Sequence, residues 1–167
     1  MQKITPFLWF ENNAEEAANF YVSVFKNSKI INTSYYTVDT PSNMPVGSVL
    51  TVVFEIEGQE FQALNGGPFF KFNESVSFVV NCENQEEVDY YWEKLSADPK
   101  AEQCGWLKDK FGVSWQIVPK KLGELMGKDK TGKVMEVMLN MKKIEIDKGK
   151  YLYHQALYFL EKFIFNF

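Results

Sequence analysis

The 167-residue chain has no arginine and one histidine, His154, so all eighteen basic side chains are lysines. Without the planar five-donor guanidinium there is no bidentate grip on phosphate or guanine. A formal charge of −4 also gives no attractive field toward a polyanion. Nucleic acid is therefore not an expected partner. With its one imidazole close to the C-terminus, the main body lacks a Ser-His-Asp or Cys-His unit, a His-rich zinc site and a His general base. Any chemistry falls to carboxylates, Lys, Tyr or Cys. Cysteine is scarce as well, with only Cys82 and Cys104. No apolar run approaches the roughly 18 residues of a membrane span, and no signal-peptide pattern opens the chain. The expected setting is a reducing cytoplasm, with no membrane partner and no disulfide framework.

Rings are plentiful: 15 Phe, 8 Tyr and 4 Trp point to a folded protein with an aromatic core. Ile4 to Phe10 reads as a strand. After Asn12-Asn13, the residues Ala17, Phe20, Tyr21 and Val24 recur at helical spacing, with Asn13 and Glu16 placed as a capping box. Ser28 to Thr37, Gly47 to Ile56 and Gln59 to Leu64 then read as strands, giving the order βαβββ. Residues 75–118 follow as a shortened copy. Val76, Phe78 and Val80 alternate, a helix opens at Asn84, and two shorter β runs end in Val113 to Val118.

Two internal matches support duplication. Asn13 to Tyr21 matches Asn84 to Trp92 at an offset of 71, and Gly58 to Gln62 matches Gly112 to Gln116 at an offset of 54. Each copy thus ends in Gly-x-x-aromatic-Gln. Beyond Pro119, the positions Val134, Val137, Met138 and Met141 mark a helix over about 131–143 that ends in Lys142-Lys143. Tyr151 to Phe167 holds seven aromatic residues and reads as a helical extension that docks on this chain or on a partner.

The phrases Ile4-Thr5-Pro6-Phe7-Leu8-Trp9-Phe10, Ala14-Glu15-Glu16-Ala17 and Leu64-Asn65-Gly66-Gly67-Pro68 carry a resemblance. So, above all, do Gln103-Cys104-Gly105-Trp106 and Asp109-Lys110-Phe111-Gly112-Val113-Ser114-Trp115-Gln116. Over residues 3–147 the chain resembles the PhnB-like branch of the vicinal oxygen chelate superfamily, which includes glyoxalases, bleomycin-resistance proteins and extradiol dioxygenases. That branch often carries a demethylubiquinone methyltransferase label. The resemblance implies an α+β fold of two βαβββ modules, about 3–67 and 75–118, whose curved sheets surround a central pocket. C-terminal helices are added to these modules, and residues 148–167 have no counterpart.

Metal-using members of that superfamily draw one ligand from the first and one from the last strand of each module. Spacing before the helices assigns the first-strand positions to Pro6 and Ser77. The Gly-x-x-aromatic-Gln repeat assigns the last-strand positions to Gln62 and Gln116. Proline offers no side-chain donor, serine is a poor neutral ligand, and two amides bring no negative charge to a dehydrated cation. No metal and no cofactor are expected.

Strand alternation puts Gln62 and Gln116 on one face of their strands, with Phe61 and Trp115 on the other. The two amides either orient a polar ligand or bond each other or backbone in a filled core. Glu60 shares the Gln62 face and is either a base or an exposed strand-end carboxylate. Cys104, beside Trp106 and near Lys108 and Lys110, is either an activated thiol or an inert buried one. Asn65-Gly66-Gly67-Pro68 is either a mobile turn or a lid whose apolar contacts are Phe69 and Phe70. Trp9, Phe10, Trp106 and Trp115 line a pocket or fill the core.

Gln62, Gln116, Ser77, Asn65, Trp106, Cys104 and Glu60 form the candidate ligand-binding set; no catalytic residue is assigned. The first functional expectation is a metal-independent small-molecule-binding protein, forming a homodimer because the architecture leaves sheet edges and apolar helix faces to cover. The alternatives are an enzyme (lyase, isomerase or transferase) using Glu60, Cys104 or a recruited metal, and a structural or regulatory dimer.

Overall fold

The computed structural model describes residues 2–39 and 44–147; the aromatic extension 148–167, His154 included, lies outside the described residues. The chain divides into two compact units that meet at Phe72/Asn73.

The first unit runs β1 (Phe7–Phe10), α1 (Ala14–Val24), β2 (Lys29–Tyr35), β3 (Val49–Ile56) and β4 (Gln59–Asn65). Its sheet has the order β1-β4-β3-β2, with β1 parallel to β4 and the other pairs antiparallel. The β-branched and aromatic residues of β3 suit a pleated surface, and the two-residue turn Glu57-Gly58 joins it to β4. Both turn residues have positive φ, 47° and 82°, as a type I′ hairpin requires. Helix α1 buries Ala14, Ala17, Ala18, Tyr21 and Val24, a stripe at helical spacing whose alanines let the helix lie close to the sheet. Tyr21 stacks on Phe54, and Phe54 on Phe61, at 6.1 and 5.5 Å between centroids.

The second unit follows the same order with one strand fewer: β5 (Ser77–Cys82), α2 (Gln85–Leu95), β6 (Trp106–Lys108) and β7 (Ser114–Pro119). Its sheet has the order β5-β7-β6, β5 parallel and β6 antiparallel to β7. Where β2 would fall, a loop ends in Gln103-Cys104-Gly105-Trp106. Gln103 and Trp106 exchange backbone hydrogen bonds of 3.1 and 2.8 Å, and Cys104 and Gly105 between them have φ of 52° and 86°. This is a second hairpin turn of the same handedness.

Beyond β7 the structure departs from expectation. The chain enters a helix at once, α3 (Lys120–Lys128), and the helix expected over 131–143 is the shorter α4 (Lys133–Leu139), so Met141 lies past its end. Lys142 and Lys143 do not cap it: they pair with Glu102 and Asp89. The Gln85 side chain fastens the following segment to α2, donating to the Ile144 carbonyl and accepting from Ile146 N–H.

The two helices also start differently. Asn84 is extended (φ −149°, ψ 179°) and accepts from Glu87 N–H at 2.9 Å, while the Glu87 carboxylate accepts from Glu83 N–H at 2.8 Å. Asn13 (φ −121°, ψ 26°) makes no side-chain cap, so the capping box expected there is absent. The Ala14 N–H is met from across the fold by Asn65 Oδ1 at 2.8 Å.

Candidate functional site

Within the second unit, the sheet face turned away from α2 and the helices α3 and α4 border an open concavity of about 630 Å3. Strand alternation builds its floor. On β7, Trp115, Ile117 and Pro119 are buried on one face, and Ser114, Gln116 and Val118 take the other. Ser77 and Lys108 flank Ser114 in register, and Val79 and Trp106 flank Gln116. Cys104, Trp106, Ser114, Gln116 and Val118 line the concavity from the sheet side; Leu122, Met138 and Leu139 line it from the helices. An apolar gap between α3, α4 and residues 144–146 measures only about 20 Å3, room for about one water.

The polar groups here are mostly spoken for. Gln116 Nε2 donates to Ser77 Oγ at 2.9 Å. Lys108 lies 2.5 Å from Glu74 and holds that carboxyl below its usual range, first by a direct hydrogen bond. Lys110 sits over the Phe111 ring. The Cys104 thiol accepts from the Gln103 amide at 3.4 Å, and its backbone N–H donates to Met141 O at 2.8 Å. The buried Asp109, which the sequence reading left without a role, organises the approach to β7. It accepts from Phe111 N–H, Val113 N–H and Trp115 Nε1–H at 2.9, 3.0 and 2.8 Å. Its signal was the Asp-x-x-Gly phrase, in which Gly112 takes φ 87°.

The structure therefore brings together four of the sequence-selected residues, Ser77, Cys104, Trp106 and Gln116. Gln62 and Glu60 belong to the first unit, on the β4 face opposite the buried Phe61, Ala63 and Asn65. Among the described residues the Gln62 amide has no hydrogen-bond partner; its backbone N–H donates to Pro6 O at 2.9 Å.

Asn65 is corrected. It lies on the helix-facing side, not with Gln62, and is 4% exposed. Its side chain is consumed by Ala14 N–H and by the Val49 carbonyl at 3.0 Å, and its own carbonyl accepts from the Tyr36 hydroxyl. The lid reading of Asn65-Gly66-Gly67-Pro68 fails for the same reason. Gly66 and Gly67 N–H donate to Phe10 and Glu11, Trp9 Nε1 donates to Gly67 O, and a Cβ on Gly66 would stand 2.3 Å from the Trp9 ring.

Pro6 is corrected too. Gln62 pairs with Phe7, and Gln116 with Val79, an offset of 72, whereas the helices are offset by 71. The loop before α1 is one residue longer than the loop before α2. Pro6 thus falls out of phase with Ser77, whose counterpart is Thr5. Phe10, Trp115 and Cys82 are core residues, and both cysteines are free thiols.

The donor set does not suit the divalent ion that metal-using members of the superfamily hold. The last-strand positions are amides, one already bonded to Ser77, and Phe7 and Val79 stand in register with them. Among the described residues no three His, Cys, Asp or Glu side chains converge.

Two sheets of this topology agree with the comparisons with known proteins. The profile of the family described as 3-demethylubiquinone-9 3-methyltransferase matches residues 2–118. The chain belongs to this PhnB-like family. A PhnB protein from Bacillus cereus, given the same methyltransferase label, is 39% identical; the alignment covers 71% of this chain and 99% of that one, with a TM-score of 0.59. The protein PA1353 from Pseudomonas aeruginosa aligns over 71% of this chain and 98% of its own at 17% identity, TM-score 0.54, a likeness of fold. The fosfomycin resistance protein FosX from Listeria monocytogenes aligns at 15% identity over 74% and 97% of the two chains, TM-score 0.47, too remote to argue from. No curated protein matches. As a PhnB-like chain, the protein is a member of the vicinal oxygen chelate superfamily with an α+β fold. Among the described residues no helix is long and apolar enough to cross a membrane.

Proposed function

We propose that this PhnB-like protein binds a small organic molecule without a metal, in the concavity on the open face of the second unit's sheet. One observation carries the reading: about 630 Å3 of space with apolar walls, an indole at Trp106 and an amide at Gln116. Ligand sites typically have that size and that mixture of apolar lining with a few polar groups. Gln62 and Glu60 hold the corresponding face in the first unit and are proposed as ligand contacts of that unit by itself. Methyl transfer, the reaction in the family's label, finds no support in this chain. Its two strand-to-helix turns, Glu11-Asn12-Asn13 and Glu83-Asn84, contain no glycine to admit a nucleotide-like methyl donor.

The test is a thermal-shift screen of the full chain against flat aromatic metabolites and antibiotics, repeated on Trp106→Ala and Gln116→Ala. The expected result is a stabilising compound whose effect is lost in both variants. A panel with no stabiliser, or a stabilisation that both variants retain, overturns the site. Stoichiometric zinc, nickel or manganese in protein purified without chelator overturns the metal independence. We also propose a cytoplasmic homodimer, and light scattering showing a monomer at micromolar concentration removes that part.

A further inference from the structure

Helix α3 carries Leu122, Leu125 and Met126 at i, i+3 and i+4, the spacing of a stripe that packs against a neighbour, yet none of its residues is buried. On α4 only Val134 is buried, while Met135 and Leu139 are 41% and 53% exposed. Leu122, Leu125, Val137, Met138 and Ile146 are among the walls of the apolar gap between the two helices and residues 144–146. That gap has room for about one water, so whatever covers it packs over the helices rather than entering between them. Among the described residues, this apolar face of the second unit is left half-open.

The chain supplies a matching face from the edge of the gap. Gln85 holds Ile146 there by accepting from its N–H at 2.9 Å. The backbone turns helical at Ile146 and Asp147, where the described residues end, and residues 148–167 follow. Carried on at the helical period, the sequence sets Tyr153, Leu157, Leu160 and Ile164 on the Ile146 face, at i+7, i+11, i+14 and i+18. Gln155, Lys162 and Asn166 fall on the opposite side. The period that places one apolar residue against the gap thus repeats it along the segment, the pattern of a helix laid in a groove.

We propose that residues 151–167 dock in cis over α3 and α4, with the stripe that continues Ile146 covering Leu122, Leu125 and Met138. The segment starts at the edge of the groove, so its local concentration there is on the order of millimolar. The same segment of a second copy, at micromolar concentration, does not compete. This docking is independent of any ligand in the concavity on the sheet side.

The test is hydrogen exchange read by mass spectrometry on the full chain, alone and with one substitution on each side of the contact. Leu125→Glu puts a charge in the groove at a half-exposed position, and Leu160→Glu puts one in the segment. In the unsubstituted chain the 151–167 amides should exchange slowly, and equally slowly at about 1 and about 100 μM protein. Each substitution should speed exchange at least about tenfold both in 151–167 and in α3, leaving β5 and β7 as slow as before.

Fast exchange of 151–167 in the unsubstituted chain overturns the docking, and so does a substitution that acts only on its own side. Protection of 151–167 that rises with protein concentration, in a dimer that Leu125→Glu dissociates, makes the occupant a second copy and overturns the cis assignment. If Leu125→Glu also releases β5 and β7, that variant has lost its fold. Leu160→Glu then decides alone, by whether α3 is released together with 151–167.

Discussion

Replacing Asn65 by Ala tests whether this residue holds the first unit together or serves a ligand. Its amide bridges the start of α1, through Ala14 N–H at 2.8 Å, and the first residue of β3, through the Val49 carbonyl at 3.0 Å. Truncation leaves a donor and an acceptor unmet. Asn65 and Ala14 are 4% and 0% exposed, so water does not readily substitute. At about 1–3 kcal/mol for each of the two groups left unsatisfied, the loss is about 2–6 kcal/mol. For a chain of this size, at about 2–4 °C per kcal/mol, that corresponds to a fall in Tm of roughly 4–24 °C. Asn65→Asp separates the two bonds. The carboxylate still accepts from Ala14 N–H, favoured by the positive helix end, but it has no proton for Val49 O and sets two acceptors against each other. It should therefore fall between wild type and Ala. Urea unfolding followed by circular dichroism measures all three. An Asn65→Ala loss under about 0.5 kcal/mol, or loss of binding in the second unit's concavity with unchanged stability, refutes the structural assignment.

The two cysteines should separate cleanly. Burial, and then the nearby Glu87 charge, pushes the Cys82 thiol up to about 12, whereas Cys104 is partly exposed in the concavity; a thiol reagent should label only Cys104 in the native protein and both in denaturant, and native labelling of Cys82 first contradicts the packing. Gly66→Ala drives a methyl into the Trp9 ring and should cost about 1–3 kcal/mol by displacing it, read as a lower unfolding midpoint with a shifted tryptophan emission. The Ser96 hydroxyl, and after it Lys142, lowers the Glu102 carboxyl below 4.5. That contribution is present above the unfolded value and is lost as pH falls through the folded one. Ser96→Ala should therefore be less stable than wild type at neutral pH, with the gap closing below about pH 4; a gap that widens on acidification refutes the sign.

Much of this architecture was legible because the signals were local and strong. The alternation around Gln62 and Gln116 placed both amides opposite the buried aromatics Phe61 and Trp115. Of the α1 positions read at helical spacing, Ala17, Tyr21 and Val24 are buried and Phe20 is half-buried. Helix α3 was not legible: Gly123 and Gly127 each weaken helix propensity by about 1 kcal/mol, and none of its residues is buried. Ser114 was not legible either. A serine in a strand carries no signal until its burial and its missing partner are seen together.

The same one-residue difference between loops that misplaced Pro6 also explains how the two units diverged in chemistry. With three residues before α1, Asn13 is not extended, the helix end is left open, and the last residue of β4 must cap it. With two residues before α2, Asn84 caps its own helix, and Pro119 stands where Asn65 stands in the first unit. Freed from that task, the end of β7 runs directly into α3, which supplies Leu122 to the concavity. At the offset of 54 that aligns the two glutamines, Ser114 stands where the first unit has Glu60. On the face that borders the concavity, a hydroxyl occupies the position of a carboxylate. Apolar surroundings tolerate an unmet hydroxyl far better than an unmet charge, so the second unit can bury Ser114 at a position where the first unit carries the half-buried carboxylate of Glu60.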